Sequence, residues 1–145
     1  MQNKRILIIN SYFPVDKRTI NLDDNDALET LEAINSTIDD NEFDTLVWTG
    51  DINADFSRNS GHVRAVDNYV SENNLIKAWN KFEVDFTCTH ETNGMTSIST
   101  IDHFFYNDAG NDVVEDAGVI NLLDNTSDHC PIYCIVNFDL IPVKK

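Results

Sequence analysis

The sequence predicts an α/β protein, a layered sandwich built on mixed sheets. Three observations carry this. Two short apolar runs alternate with two amphipathic stretches of helical period in the first half of the chain. The second half has strand composition and no helical stripe. The chain has 145 residues, 41% hydrophobic and 24% charged, which is the size and balance of one folded domain.

Lys4 to Ser11 contains Ile6-Leu7-Ile8-Ile9 and reads as a buried strand. Tyr12-Phe13-Pro14 closes it, because proline cannot donate to a ladder. Residues 15–24 are polar and read as a loop. A helix is predicted from Asp26 to Asp39, with Leu28, Leu31, Ile34 and Ile38 forming one apolar stripe. Asp23, Asp24 and Asp26 crowd its start, where the helix dipole favours negative charge. Thr45 to Thr49 is a second buried strand, and Gly50-Asp51-Ile52-Asn53 turns off its end. Residues 54–61 form a loop. His62 to Glu72 reads as a helix with Val63, Val66 and Val70 on one side. Leu75 to Trp79 is a short extended piece. Phe86 to His90, Ile101 to Tyr106, Val113 to Ile120 and Pro131 to Phe138 complete the set as strands. Trp48 and Trp79 are expected in the core. No repeat and no linker divides the chain.

Lys and Arg number 10 and Asp and Glu 25, a formal charge of −15. Such a surface repels polyanions at long range, which argues against a general nucleic-acid binder. It suits an enzyme that meets phosphate through a divalent cation, because carboxylates hold Mg²⁺. The longest aliphatic run has four residues, against about 20 for a membrane helix. It is too brief for a signal peptide and is ended by Asn10, so no export signal is read and no membrane partner is expected. Cys88, Cys130 and Cys134 then imply reduced thiols in an intracellular setting. Cys88-x-His90 lacks the four-ligand spacing of a zinc site and is not read as one. Arg58 and Arg64 flank the Asp51 turn and read either as contacts to DNA phosphates or as plain exposed charges, and Lys144-Lys145 reads as a charged tail.

Three short motifs fall at strand ends. Gly50-Asp51-Ile52-Asn53 offers an acid and an amide two residues apart, suited to a metal or a phosphate oxygen and equally to a plain turn. Ile101-Asp102-His103 places an acid inside an apolar strand, where a carboxylate needs a partner. His103 points to the opposite face and reads as a surface or packing residue. Ser127-Asp128-His129 sets an acid beside an imidazole just before the last strand.

Together these motifs resemble the endonuclease/exonuclease/phosphatase superfamily, the deoxyribonuclease I-like fold. Its pattern is a Gly-Asp-x-Asn turn, an Ile-Asp-(His/Tyr) strand and a Ser-Asp-His step, in that order. Asn10-Ser11-Tyr12-Phe13-Pro14 is similar to the family's strand ending in Tyr-x-Pro. The spacing is most like the endonuclease domains of non-LTR retrotransposons. The resemblance implies two packed mixed sheets with outer helices. It also implies metal-dependent phosphodiester hydrolysis with Mg²⁺, or Mn²⁺ in its place, and DNA as substrate. A phosphatase or phosphodiesterase acting on a small phosphate or lipid is the alternative, and an inactive remnant the third reading. His129, Asp102, Asp51 and Tyr12 are implied as catalytic, Asn53 and Tyr12 as substrate-binding, and Asp128, Asp51 and Asn53 as metal-binding. The family's N-terminal portion, with a metal-binding Glu in a Gln-Glu pair, has no counterpart, since the only glutamine is Gln2. The resemblance therefore implies a single partial domain over 1–145 with little or no nuclease activity alone, and flanking domains such as a reverse transcriptase in a longer protein.

Overall fold

The computed structural model describes residues 4–18, 25–122 and 124–137. Gln2, Asp23, Asp24, Phe138 and Lys144-Lys145 lie outside the described residues. The central sheet joins β1 (Ile6–Tyr12), β2 (Thr45–Asp51), β3 (Ile76–Lys77) and β6 (Asp102–Tyr106) in the order β1-β2-β6-β3. The β1–β2 pair is parallel and the other two pairs are antiparallel, so the sheet is mixed. A parallel pair needs a crossover, and α1 (Asn25–Asp39) supplies it.

The pleat sorts the core into two layers. Trp48 and Phe105 are cross-strand partners with ring centroids 4.5 Å apart, and both are fully buried on one face. Against them pack Ala27, Leu31 and Ile34 of α1, and Val63, Val66 and Val70 of α2 (Gly61–Glu72). Val47, Phe104 and Tyr106 occupy the opposite face. That face is covered by an antiparallel pair, β7 (Val114–Val119) and β8 (Ile132–Val136), through Val114 and Ala117 with Ile132, Cys134 and Val136 behind. Helices, sheet and second sheet therefore stack in that order, the predicted layered sandwich. Among the described residues the mixing of strand directions lies in the central sheet.

Several elements differ from expectation. Among the described residues β1 is an edge strand, not a buried one, and Ile8 is 68% exposed. An aliphatic run reports burial only where both faces are covered, and β1 has one bare face. Leu28 is 40% exposed, and Ala27 takes its place in the stripe. Strands alone do not fill the second half. A 3-10 turn covers Ala78–Asn80, and a six-residue helix, α3, covers Asp108–Val113 behind an Asn107 side chain that accepts from Gly110 N. Finally β4 (Cys88–Thr92) has a hairpin partner, β5 (Met95–Ser99), joined by Asn93-Gly94. Both turn residues have positive φ, 54° and 75°, which Asn and Gly tolerate.

Candidate active site

The C-terminal edge of β2 and the N-terminal edge of β6 meet at one row. Tyr12 pairs with Asp51 and Asp51 pairs with Asp102, so one residue from each of three strands stands in line. By alternation Asp51 and Asp102 share the face of Val47, Phe104 and Tyr106. Gly50, one residue before, makes the row possible. Its φ is 137°, and a Cβ there would lie 1.8 Å from Ser11 O. Only glycine lets β1 and β2 close at this point.

The chain then leaves β2 through a tightly held turn. Asn53 adopts φ 53°, its N–H donates to Asp51 Oδ1 (3.1 Å), and its amide nitrogen donates to Phe13 O (2.9 Å). Two buried histidines contact the carbonyls on either side: His62 Nε2 lies 2.8 Å from Ile52 O, and His103 Nε2 lies 2.8 Å from Ala54 O. A carbonyl only accepts, so each ring presents its Nε2–H. Of the two expectations for His103, surface or packing, the structure gives packing: the ring is buried and stacked on Phe105, and burial pulls its pKa down to about 4.

His129 comes from the irregular segment before β8. Its ring stands over the row, with Nδ1 3.0 Å and 3.1 Å from the two Asp102 oxygens and Nε2 3.9 Å from Asp51 Oδ2. Asp102 is 8% exposed, so the partner that the sequence demanded for it is this imidazole. Thr87 Oγ1, fully buried, accepts from the Ile101 and Asp102 N–H groups, and Trp79 Nε1 donates to Asp102 O (2.9 Å). The loop carrying His129 is tied by its own side chains. Asn125 Nδ2 donates to His129 O (2.8 Å), and the His129 N–H donates to Ser127 Oγ (3.1 Å).

Electrostatics follow from this crowding. Burial depresses the His129 pKa, but the carboxylates of Asp102, Asp51 and Asp128 and the hydrogen bond to Asp102 outweigh it, and the ring titrates above the ordinary imidazole value. Burial raises the Asp51 pKa, Asp102 adds to the rise, and His129 with the Asn53 contacts only partly offsets it. The acid is thus held back from ionising by burial and Asp102, and the imidazole is held in its charged form by the carboxylates around it.

Of the implied site residues, the structure brings Asp51, Asp102 and His129 together, with ligand atoms all within 4.8 Å of one another. Tyr12 ends β1 in the same row and is 69% exposed. Asp128 is exposed and belongs to a different group, with Cys88 and His129. The donor set also bears on a cation. Both Asp102 oxygens face the His129 ring, which leaves the Asp51 carboxylate and the Asn53 amide oxygen as hard donors at the turn. Mg²⁺ is held by one or two carboxylates and completes its shell with water and phosphate oxygens, so this set fits.

No protein-family model matches the sequence, and no curated protein matches it. Solved structures do. The endonuclease domain of TRAS1, a telomere-specific non-LTR retrotransposon, superimposes with a TM-score of 0.65 at 17% identity over 88% of this chain and 55% of its own. A 3′ phosphatase from Neisseria, bound to a product DNA hairpin, gives 0.68 at 17% identity over 90% of this chain and 61% of its own. A mannosyl-6-phosphatase from Bacteroides thetaiotaomicron gives 0.63 at 18% identity over 93% and 52%. The chain has the endonuclease/exonuclease/phosphatase fold. It spans 52% to 61% of the length of these three structures.

Within this fold, sequence reasoning missed the supports of the site. Thr87, Asn125, His62 and Trp79 hold the backbone around Asp51, Asp102 and His129, and of these only Asn125 stands inside one of the three motifs, at the start of Asn125-Thr126-Ser127-Asp128-His129. Only Asn125 carried a signal, two residues before Ser127 and four before His129, the spacing of a side-chain-bonded turn.

Proposed function

We propose that Asp51, Asp102 and His129 form a centre for metal-dependent phosphodiester hydrolysis, acting on DNA. The observation that carries this is the His129 ring held by Asp102 at Nδ1 with Nε2 directed to Asp51. In this reading Asp102 fixes the ring and supports its charge, as a positioning residue. His129 Nε2 moves a proton or, when protonated, offsets the charge that gathers on the phosphate oxygens. Asp51 orients the attacking water or delivers a proton to the leaving oxygen as the phosphorus–oxygen bond breaks. Tyr12 reaches the phosphate from the end of the row. Asn53 gives one amide hydrogen to Phe13 O and keeps the other for a phosphate oxygen. Asp51 and Asn53 would hold the divalent ion, Mg²⁺ in this reading, and Asp128 stands at the exposed side of the ring. A bound cation supplies charge neutralisation at the phosphate.

A second reading takes a small phosphate ester as substrate. The formal charge of −15 favours it, because duplex DNA is repelled by such a surface. A small phosphate monoester with Mg²⁺, used in place of the DNA, separates the two readings.

The centre is tested by titrating a short DNA with Mg²⁺ and following the His129 ring protons by NMR. Both components together are expected to shift them, and Asp51→Ala to abolish the response. In the DNA-free protein, Asp102→Asn is expected to lower the His129 pKa. Ring protons indifferent to DNA and Mg²⁺ would refute the proposal. Plasmid nicking that is Mg²⁺-dependent and lost in His129→Ala would show that these 145 residues suffice for turnover.

A further inference from the structure

Cys88 is buried and takes no part in the hydrolytic reading. Its sulfur, a carboxylate oxygen of Asp128 and a ring nitrogen of His129 all lie within 4.8 Å of one another. The backbone explains why. Cys88 and His129 stand opposite each other in an isolated antiparallel bridge. The flanking bonds from Thr89 N to Asp128 O (2.8 Å) and from Cys130 N to Thr87 O (2.7 Å) clamp it on both sides. Directly opposed residues send their side chains to the same face. Thiol and imidazole are therefore paired by strand register, not by a chance approach of two loops.

A thiolate, an imidazole and a carboxylate form a donor set for a borderline-soft cation. Mg²⁺ prefers oxygen and gains nothing from sulfur. Ligands at about 2.0–2.3 Å from a tetrahedral zinc lie roughly 3.3–3.8 Å from one another, so a contraction of at most about 1.5 Å closes this set. Three protein ligands leave one position for water.

The geometry points to Cys88, Asp128 and His129 as a binding site for a thiophilic divalent cation of the zinc class, distinct in its ligands from the position at Asp51 and Asn53. Occupation withdraws His129 from the hydrolytic centre, because a ring bound to the metal no longer relays a proton. Zinc-class ions are then inhibitors. The inhibition rests on the proposed hydrolytic role of His129, whereas the binding does not.

Cobalt(II) added to the chain under reducing conditions, without Mg²⁺, reports the site by colour. A thiolate-to-cobalt charge-transfer band is expected, bleached by zinc and lost in Cys88→Ser. It is retained in Cys130→Ser and Cys134→Ser. Zinc-edge X-ray absorption of the unmutated chain gives a reading that no folding defect imitates: one sulfur at about 2.3 Å with nitrogen and oxygen at about 2.0 Å. Absence of the band, its survival in Cys88→Ser, or a shell without sulfur overturns the site. Zinc is also expected to abolish the His129 response to DNA and Mg²⁺. Bound zinc with that response intact overturns the inhibition alone. A response absent with and without zinc overturns the hydrolytic reading, and the cobalt band still decides the site.

Discussion

The two carboxylates and the imidazole of the site are held in different ways. Asp51 and Asp102 end two strands that pair over five residues, and their separation is fixed by the same register that joins Trp48 to Phe105 in the core. His129 rides on a segment tied by Asn125, Ser127 and one isolated bridge to Cys88. The acids are therefore as rigid as the fold, while the ring is as rigid as a few local hydrogen bonds. Damage to the sheet should unfold the protein, and damage to the loop should loosen the site and leave the fold standing.

The largest effect is expected at Gly50, where the two β-strands would be forced apart. Gly50→Ala combines a φ of 137° with a Cβ 1.8 Å from Ser11 O. It should destabilise by about 3 kcal/mol or more. Urea unfolding measures this, and a loss under about 1 kcal/mol would show that the strand ends are looser than the register implies.

The two histidines then separate the regions by pH. His103 has a folded pKa of about 4, below its ordinary 6.5, so its contribution is complete above pH 6.5 and is lost as pH falls toward 4. For this fully enclosed ring the loss is roughly 3 kcal/mol. His129 has the opposite sign. Its raised pKa gives stability that is complete below 6.5 and lost as pH rises through the folded value. It is small, because the ring is partly solvated. Unfolding midpoints between pH 4 and 8 should show a steep acid fall that His103→Gln flattens. An unchanged acid limb in that variant would remove the argument.

Asn125→Ala deletes two bonds, the one Nδ2 donates to the His129 carbonyl and the one Oδ1 accepts from the Ser127 N–H, and should cost about 1–2 kcal/mol. Its sharper signature is local: faster amide exchange at residues 125–129, with the Asp51–Asp102 pairing unaltered. Protection lost equally in both regions would abolish the contrast between them.

The smallest effect is a gain. An acid whose folded pKa is raised favours folding when protonated, below 3.8, and opposes it once pH exceeds the folded value. Asp51→Asn should therefore stabilise the fold by about 0.5 kcal/mol at neutral pH while abolishing the proposed function. A lowered melting temperature would mean that attraction to His129 exceeds the cost of burying the carboxylate.

Much of this was legible in the residues. The stripes of α1 and α2 and the run of β2 were readable because each packs against the core with a regular period. The three motifs were readable because a buried acid demands a partner, and Asp102 has one. The β4–β5 hairpin was missed although Asn93-Gly94 announces its turn, because its strands are polar and exposed and so carry no alternation toward a core. The helix α3 has six residues and a cap but no stripe to betray it. Ile8 looked buried because composition does not reveal which strand lies at an edge.

The sequence by itself determined the layered class, the two long helices and the three motif positions, since periodicity and the cost of burying charge act locally. Tertiary structure alone decided that Tyr12, Asp51 and Asp102 share one row, that His129 closes over it, and that Cys88 rather than His90 stands beside that ring. Those facts depend on pairings between residues 27 to 51 apart along the chain, from Asp102 to His129 at the short end to Asp51 to Asp102 at the long one (102 − 51 = 51). No local propensity encodes such a register; the packing of the two core layers selects it.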